Sequence, residues 1–129
     1  MGIDEPDIDP ETFLSDVEMR VGEIVSVEDF PEARKDLYKL DVDFGGETRQ
    51  SAAGLTRYGK DDLVGRQVVA VTNLGTVNIA GFESQCLVTG VDSAERSSAS
   101  SRAQPDDDGD GGVVHLQPES EVENGSRIY

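Results

Sequence analysis

The alternation of apolar and polar side chains along this chain predicts a series of short strands. The clearest begins at Tyr38: Tyr38, Leu40, Val42 and Phe44 share one face, and Lys39, Asp41 and Asp43 share the other. Gly45-Gly46 closes this strand as a hairpin turn, and residues 47–53 return as the next. Upstream, VEMRVGEIVSVE at 17–28 places Val17, Met19 and Val21 on one face. The phase moves to Ile24 after Gly22, which predicts a glycine bulge bending a long strand. Residues 60–66, KDDLVGR, predict a helical turn stopped by Gly65. The apolar run from Val68 to Val71 predicts a strand buried on both faces, and further strands are expected from Cys86 to Val91 and from Val113 to Leu116. Together these elements predict an all-β fold, a five-stranded OB-type Greek-key barrel with short helical turns.

The remaining segments do not read as core. Residues 1–12 are an acidic tail expected to be mobile, and Phe13 and Leu14 open a short helical turn after Asp9-Pro10-Glu11-Thr12. Residues 93–112, SAERSSASSRAQPDDDGDGG, are low in complexity and nearly free of apolar side chains, so a solvated insertion is expected within one domain spanning 13–129. No apolar run approaches the ~18 residues of a membrane-spanning helix. The start MGIDEPDIDPET is acidic with no apolar segment, so no secretory signal is expected. A single cysteine, Cys86, cannot form an internal disulfide, and a cytoplasmic protein is the simplest expectation.

Charge changes this picture only in one respect. Eleven Lys and Arg face 27 Asp and Glu, for a net charge of −16 scattered along the whole chain. Acidity spread over a folded domain reads as adaptation to molar salt, where repulsion is screened within a few ångströms. It is therefore taken as a property of the environment and not of the function.

Catalytic chemistry finds no support in the motifs. His115 is the only histidine and no nucleophile pairs with it, while Cys86 opens an apolar strand as a structural thiol. No phosphate loop or zinc motif is present, so neither enzyme activity nor a cofactor or metal is expected. Asp106, Asp108, Asp110 and Gly111 have calcium-loop spacing, but the twelfth position is Gln117 and no helix pattern flanks them. In so acidic a chain that spacing arises from composition.

Binding chemistry is better represented. Arg49, Gln50 and Ser51, followed by Arg57, Tyr58 and Lys60, form the densest basic region, on the strand that helps build the oligonucleotide face of OB-folds. Gln50 and Ser51 are the stronger candidates, and Arg57 and Lys60 read as surface cations paired with acids. The stretch NLGTVNIAGFESQCLV at 73–88 carries one charge, Glu83, and reads as a shaped loop leading into a strand. Phe82, with Ile79 and Val77, either lines a groove for extended peptides or plugs the barrel end.

The chain resembles the tRNA-binding domain family, which includes the C-terminal extension of bacterial methionyl-tRNA synthetases, free-standing tRNA binders and the CsaA-type secretion chaperones. The resemblance rests on the order of RVGEI (20–24), PEA (31–33), LYKL (37–40), VDFG (42–45), RQ (49–50), GL (54–55), LVG (63–65), NL (73–74) and GFESQ (81–85). FPEAR (30–34), DFG (43–45), IAGF (79–82) and LQP (116–118) place it nearest the CsaA type, as a stand-alone domain. The resemblance implies binding of tRNA or another structured RNA through Arg49, Gln50, Ser51, Asn73 and Ser84, although Asn73 and Ser84 could equally fix the loop. It also implies a homodimer with contacts at Phe13, Leu14 and Ile128, and, as alternatives, a chaperone for unfolded preproteins or a scaffold for cytoplasmic enzymes. One departure stands out: Gly75, Thr76, Val77 and Asn78 occupy the positions where family members carry basic residues. Polar contacts and shape would then carry more of any RNA binding than charge does.

Overall fold

The hairpin anchors the architecture. In the computed structural model, which describes residues 2–94 and 112–129, strands β2 (Tyr38–Asp43) and β3 (Thr48–Ala53) pair antiparallel with Val42 opposite Arg49 and Leu40 opposite Ser51. Gly45 adopts φ +97° in the turn, and the Phe44 N–H donates to the Glu47 carbonyl at 2.7 Å. Only glycine enters that left-handed conformation without strain.

Strand β1 (Met19–Asp29) is the long central strand, and it serves two neighbours in succession. Its first half pairs with β4 (Gln67–Val71), and its second half pairs with β2. Strand β7 (Leu87–Val88) extends the far edge, giving the order β3-β2-β1-β4-β7 in a nearly closed antiparallel barrel. Two ribbons complete the strands: β5 (Val77–Ile79) with β6 (Phe82–Ser84), and β8 (Gly90–Asp92) with β9 (Val113–His115). Helix α1 (Pro10–Asp16) precedes the barrel, and α2 (Lys60–Leu63) caps it between β3 and β4 before Gly65 turns the chain at φ +96°. The core consists of Ile24, Leu40, Val42, Ala53, Leu55, Leu63, Val68 and Val88.

Several expectations change. Helix α1 starts at Pro10, inside the segment read as a tail, because proline suits the first turn of a helix. The irregularity in β1 lies at Val25, between the pairs Ile24–Val42 and Ser26–Asp41, and not at Gly22. Gly22 sits in regular register opposite the fully buried Val68. A Cβ there would meet Val42 Cγ1 at 2.5 Å, so it is close packing that requires glycine. Strand β4 is buried on one face only, at Val68 and Ala70. The strand expected over 86–91 breaks at Thr89, whose N–H and hydroxyl both donate to the Val69 carbonyl. Asp106, Asp108 and Asp110, and most of the 93–112 insertion, lie outside the described residues.

The C-terminal segment is structural. The Val21 N–H donates to the Ser126 carbonyl, Gly125 N–H to the Val21 carbonyl, and Ile128 N–H to the Met19 carbonyl, so residues 125–128 occupy the free edge of β1. The Arg127 guanidinium ties this segment to α1 through the Leu14 and Val17 carbonyls. Among the described residues no helix is long and apolar enough to cross a membrane.

Candidate nucleic-acid interface

Side chains directly opposite one another in an antiparallel pair point to the same face. Arg49 and Ser51 therefore share the inward face of β3 with Val42 and Leu40, while Gln50 faces outward opposite Asp41. Arg20 likewise faces inward opposite the fully buried Ala70. Arg20, Phe44, Arg49 and Thr72 converge at one end of the barrel, where they line an open cleft of about 410 Å³ with Glu18 and Glu47.

Each arginine at this mouth is partly neutralised. The Arg20 Nε donates to Glu18 at 3.1 Å and its Nη1 to the Gly125 carbonyl at 2.8 Å. Arg49 pairs with Glu47 through Nε and donates from Nη1 to the Thr72 carbonyl at 2.7 Å. Both retain unpaired N–H donors, since a guanidinium carries five. The Thr72 hydroxyl and Arg20 hold the Glu18 carboxyl below its ordinary pKa, so it stays ionised beside the cleft.

Asn73 forms the rim. Its Oδ1 accepts from the Glu18 N–H and its Nδ2 donates to the Asp16 carbonyl, both at 2.9 Å, latching the loop to the junction of α1 and β1. Beyond it, residues 73–78 are exposed and Leu74 and Val77 project apolar surface.

The other expected contacts close the barrel. Strands β3 and β7 do not share a ladder, and side chains bridge the gap. Ser51, fully buried, donates to the Cys86 carbonyl at 2.8 Å. Ser84 Oγ accepts from the Ala52 N–H at 3.1 Å, and Gln50 Nε2 donates to the Glu83 carbonyl at 2.7 Å. The Gln85 side chain accepts from the Gln50 N–H at 3.1 Å. Cys86, buried beneath them, has its thiol pushed up to about 11 by desolvation and is unreactive at neutral pH.

Phe82 packs edge-on against buried Phe30, with centroids 5.5 Å apart, and Lys39 Nζ lies over both rings. Ile79 lies opposite Phe82 in the ribbon, so Val77, Ile79 and Phe82 share one of its faces, with Val77 exposed and the other two half-buried. Phe13 and Ile128 are half-buried and Leu14 is exposed on the α1 side. Lys60 pairs with Asp29, as expected of a surface cation, but Arg57 lies over the Tyr58 ring. Sequence reasoning passed over Arg20, Thr72 and Glu18 as site residues. The hairpin register was the signal that could have separated Arg49 from Gln50.

An OB-like barrel whose mouth carries two guanidiniums beside an open cleft has the architecture of a nucleic-acid-binding module. The chain matches the model of the family described as "Putative tRNA binding domain" over residues 19–127, and it belongs to that family, a non-catalytic tRNA-binding module. It is 40% identical to the methionine–tRNA ligase of Thermococcus onnurineus over 113 residues, which cover 87% of this chain and 13% of that enzyme. The Pyrococcus furiosus ligase is 36% identical over 89% of this chain and 14% of its own length. The chain thus spans a small part of these curated relatives. Among solved structures, the CsaA chaperone protein of Picrophilus torridus aligns with a TM-score of 0.76 and 32% identity, covering 95% of this chain and 100% of that one. The chaperone CsaA of Bacillus anthracis gives 0.75 and 36%, covering 96% and 100%.

Proposed function

We propose that this chain is a cytoplasmic binding module that holds folded tRNA at the mouth of its barrel. The observation that carries this reading is the convergence of Arg20 and Arg49, both with spare donors, on an open cleft beside the Asn73 loop. Guanidinium forks suit phosphate oxygens, and the solvent-accessible Arg49–Glu47 pair is worth about 0–1 kcal/mol, so a phosphate displaces it at little cost, while the half-buried Arg20 offers its spare donors. Asn73 holds the rim, and Gln50, Ser51 and Ser84 act by fixing the barrel that presents it. Titration of a labelled folded tRNA across a potassium chloride series tests this reading. Arg49→Gln is expected to weaken binding about tenfold at the low-salt end, and Asn73→Ala to weaken it several-fold. Unchanged affinity in both variants would place the RNA elsewhere.

The similarity to CsaA chaperones, together with exposed Leu74 and Val77, supports a second reading in which this loop grips unfolded preproteins. Suppression of aggregation of an unfolded client, with no tRNA bound at any salt, would favour it. Neither activity would leave the scaffold reading. A homodimer through α1 and the C-terminal segment, with Phe13, Leu14 and Ile128 in contact, is consistent with the exposure of Leu14 and Tyr129 and is measured by sedimentation.

A further inference from the structure

Two arginines in the connection between β3 and β4 converge on one aromatic ring. Arg20, Arg49 and Lys60 all have carboxylate partners. Among the described residues Arg57 and Arg66 form no ion pair. Both guanidiniums instead address the half-buried Tyr58, with their central carbons 5.6 Å and 4.9 Å from the ring centroid. They are therefore no farther apart than the sum of those distances.

Arg66 is held in place. Its Nε donates to the Asp62 carbonyl at 2.8 Å, and its Nη1 lies 3.4 Å from His115 Nε2. His115 Nδ1 lies 3.3 Å from the Leu116 carbonyl, which can only accept, so the ring proton sits on Nδ1 and Nε2 accepts from Arg66. The Tyr58 and His115 rings stack at a tilt, with centroids 5.2 Å apart. Among the described residues Arg66 keeps three of its five N–H donors, and exposed Arg57, with no hydrogen bond there, keeps all of them. Two positive side chains gathered on one aromatic ring, with unused forks, form a site for an anion.

The location indicates which anion. β3 starts at the barrel mouth with Arg49 and ends before Arg57, whereas β4 starts after Arg66 and ends at the mouth before Thr72. The Arg57–Tyr58–Arg66 cluster therefore lies toward the opposite end of the same two strands. Arg57 lies eight positions after Arg49, which limits the Cα–Cα distance to about 29 Å, within reach of a single folded RNA. We propose that Arg57 and Arg66, bracketing Tyr58, form a second contact for the phosphodiester backbone of the RNA held at the mouth. This proposal rests on the tRNA-binding reading above.

The test is a titration of labelled folded tRNA against wild type, Arg57→Gln, Arg57→Glu and Arg34→Gln across the same salt series. Arg34 is an exposed arginine of the β1–β2 loop, so its variant removes equal charge elsewhere. Arg57→Gln is expected to weaken binding about three- to tenfold at low salt and to reduce the slope of log K against log salt by about 0.7–0.9, the loss of one phosphate contact. Arg57→Glu should weaken it further, and Arg34→Gln by less than about twofold with the slope unchanged. Because Arg57 is exposed and its side chain meets only the Tyr58 ring among the described residues, its variants should stay folded and unfold within a few degrees of wild type. Equal effects at positions 57 and 34, or an unchanged slope, would overturn the second contact while leaving the mouth intact. Absence of tRNA binding by wild type would overturn both proposals. A polyglutamate peptide bound as tightly as tRNA and released by Arg57→Gln would identify an acidic-peptide site instead.

Discussion

Ser84 separates two roles that a binding assay alone would merge. Its Oγ accepts from the Ala52 N–H at 3.1 Å and lies 3.4 Å from the Cys86 carbonyl. In Ser84→Ala the second bond costs little, because Ser51 still donates to that carbonyl at 2.8 Å. The first matters more: it leaves the Ala52 N–H without a partner in a half-buried strand, a loss of about 1–3 kcal/mol. Taking about 2 kcal/mol, the midpoint of thermal unfolding should fall by roughly 8 °C for a domain of this size. Denaturant titration measures the free energy, and hydrogen exchange at Ala52 should accelerate selectively. The tRNA affinity of the folded variant should change by less than about threefold. A stability change below about 0.3 kcal/mol with a tenfold loss of tRNA binding would refute this reasoning and make Ser84 a direct contact.

Two further outcomes follow from packing and titration. Gly22→Ala places a methyl group 2.5 Å from Val42 Cγ1 and 2.7 Å from Phe44 Cε1. It should cost about 1–3 kcal/mol by chemical denaturation, and less than additively when combined with Val42→Ala. For His115, burial and then the Arg66 charge hold the folded-state pKa below 6.5, while the Leu116 carbonyl opposes them. The unfolded chain then binds more protons just below that value, so this contribution to stability is complete above about pH 6.5 and declines as pH falls. Unfolding temperatures measured at pH 7.5 and 5.5 should show this slope, and His115→Gln should flatten it.

The barrel was legible because β2 is amphipathic without interruption and its turn is unambiguous. The face of β3 was legible too: a turn that sets Phe44 against Glu47 sets Val42 against Arg49 and Leu40 against Ser51. Treating Arg49, Gln50 and Ser51 as one patch ignored the period of two that governs any strand. The apolar run at Val68–Val71 misled for another reason. Val69 and Val71 are half-buried on the outer face of β4, where the backbone of Val69 also engages Leu116 and Thr89. Such cover comes from segments distant in sequence and leaves no local pattern. The same applies to residues 125–128, which lack alternation yet complete the edge of β1.

The distribution of charge explains why the mouth, and not the outer face of β2 and β3, is the stronger candidate. That outer face carries Asp41 and Asp43 on β2 and Glu28 across on β1, against the single cation Lys39, whose ammonium lies over Phe30 and Phe82. A phosphate approaching there meets three carboxylates. At the mouth, Arg20 and Arg49 balance Glu18 and Glu47, and the loop beyond Asn73 is uncharged through Phe82. The missing basic residues of that loop are therefore only part of the electrostatics. An RNA docked at the mouth trades the weak Arg49–Glu47 pair for a phosphate contact and uses the spare donors of Arg20, so no net cationic patch is required. What the loop contributes is an uncharged, shaped approach, held to the barrel by Asn73, in a chain whose net charge is −16.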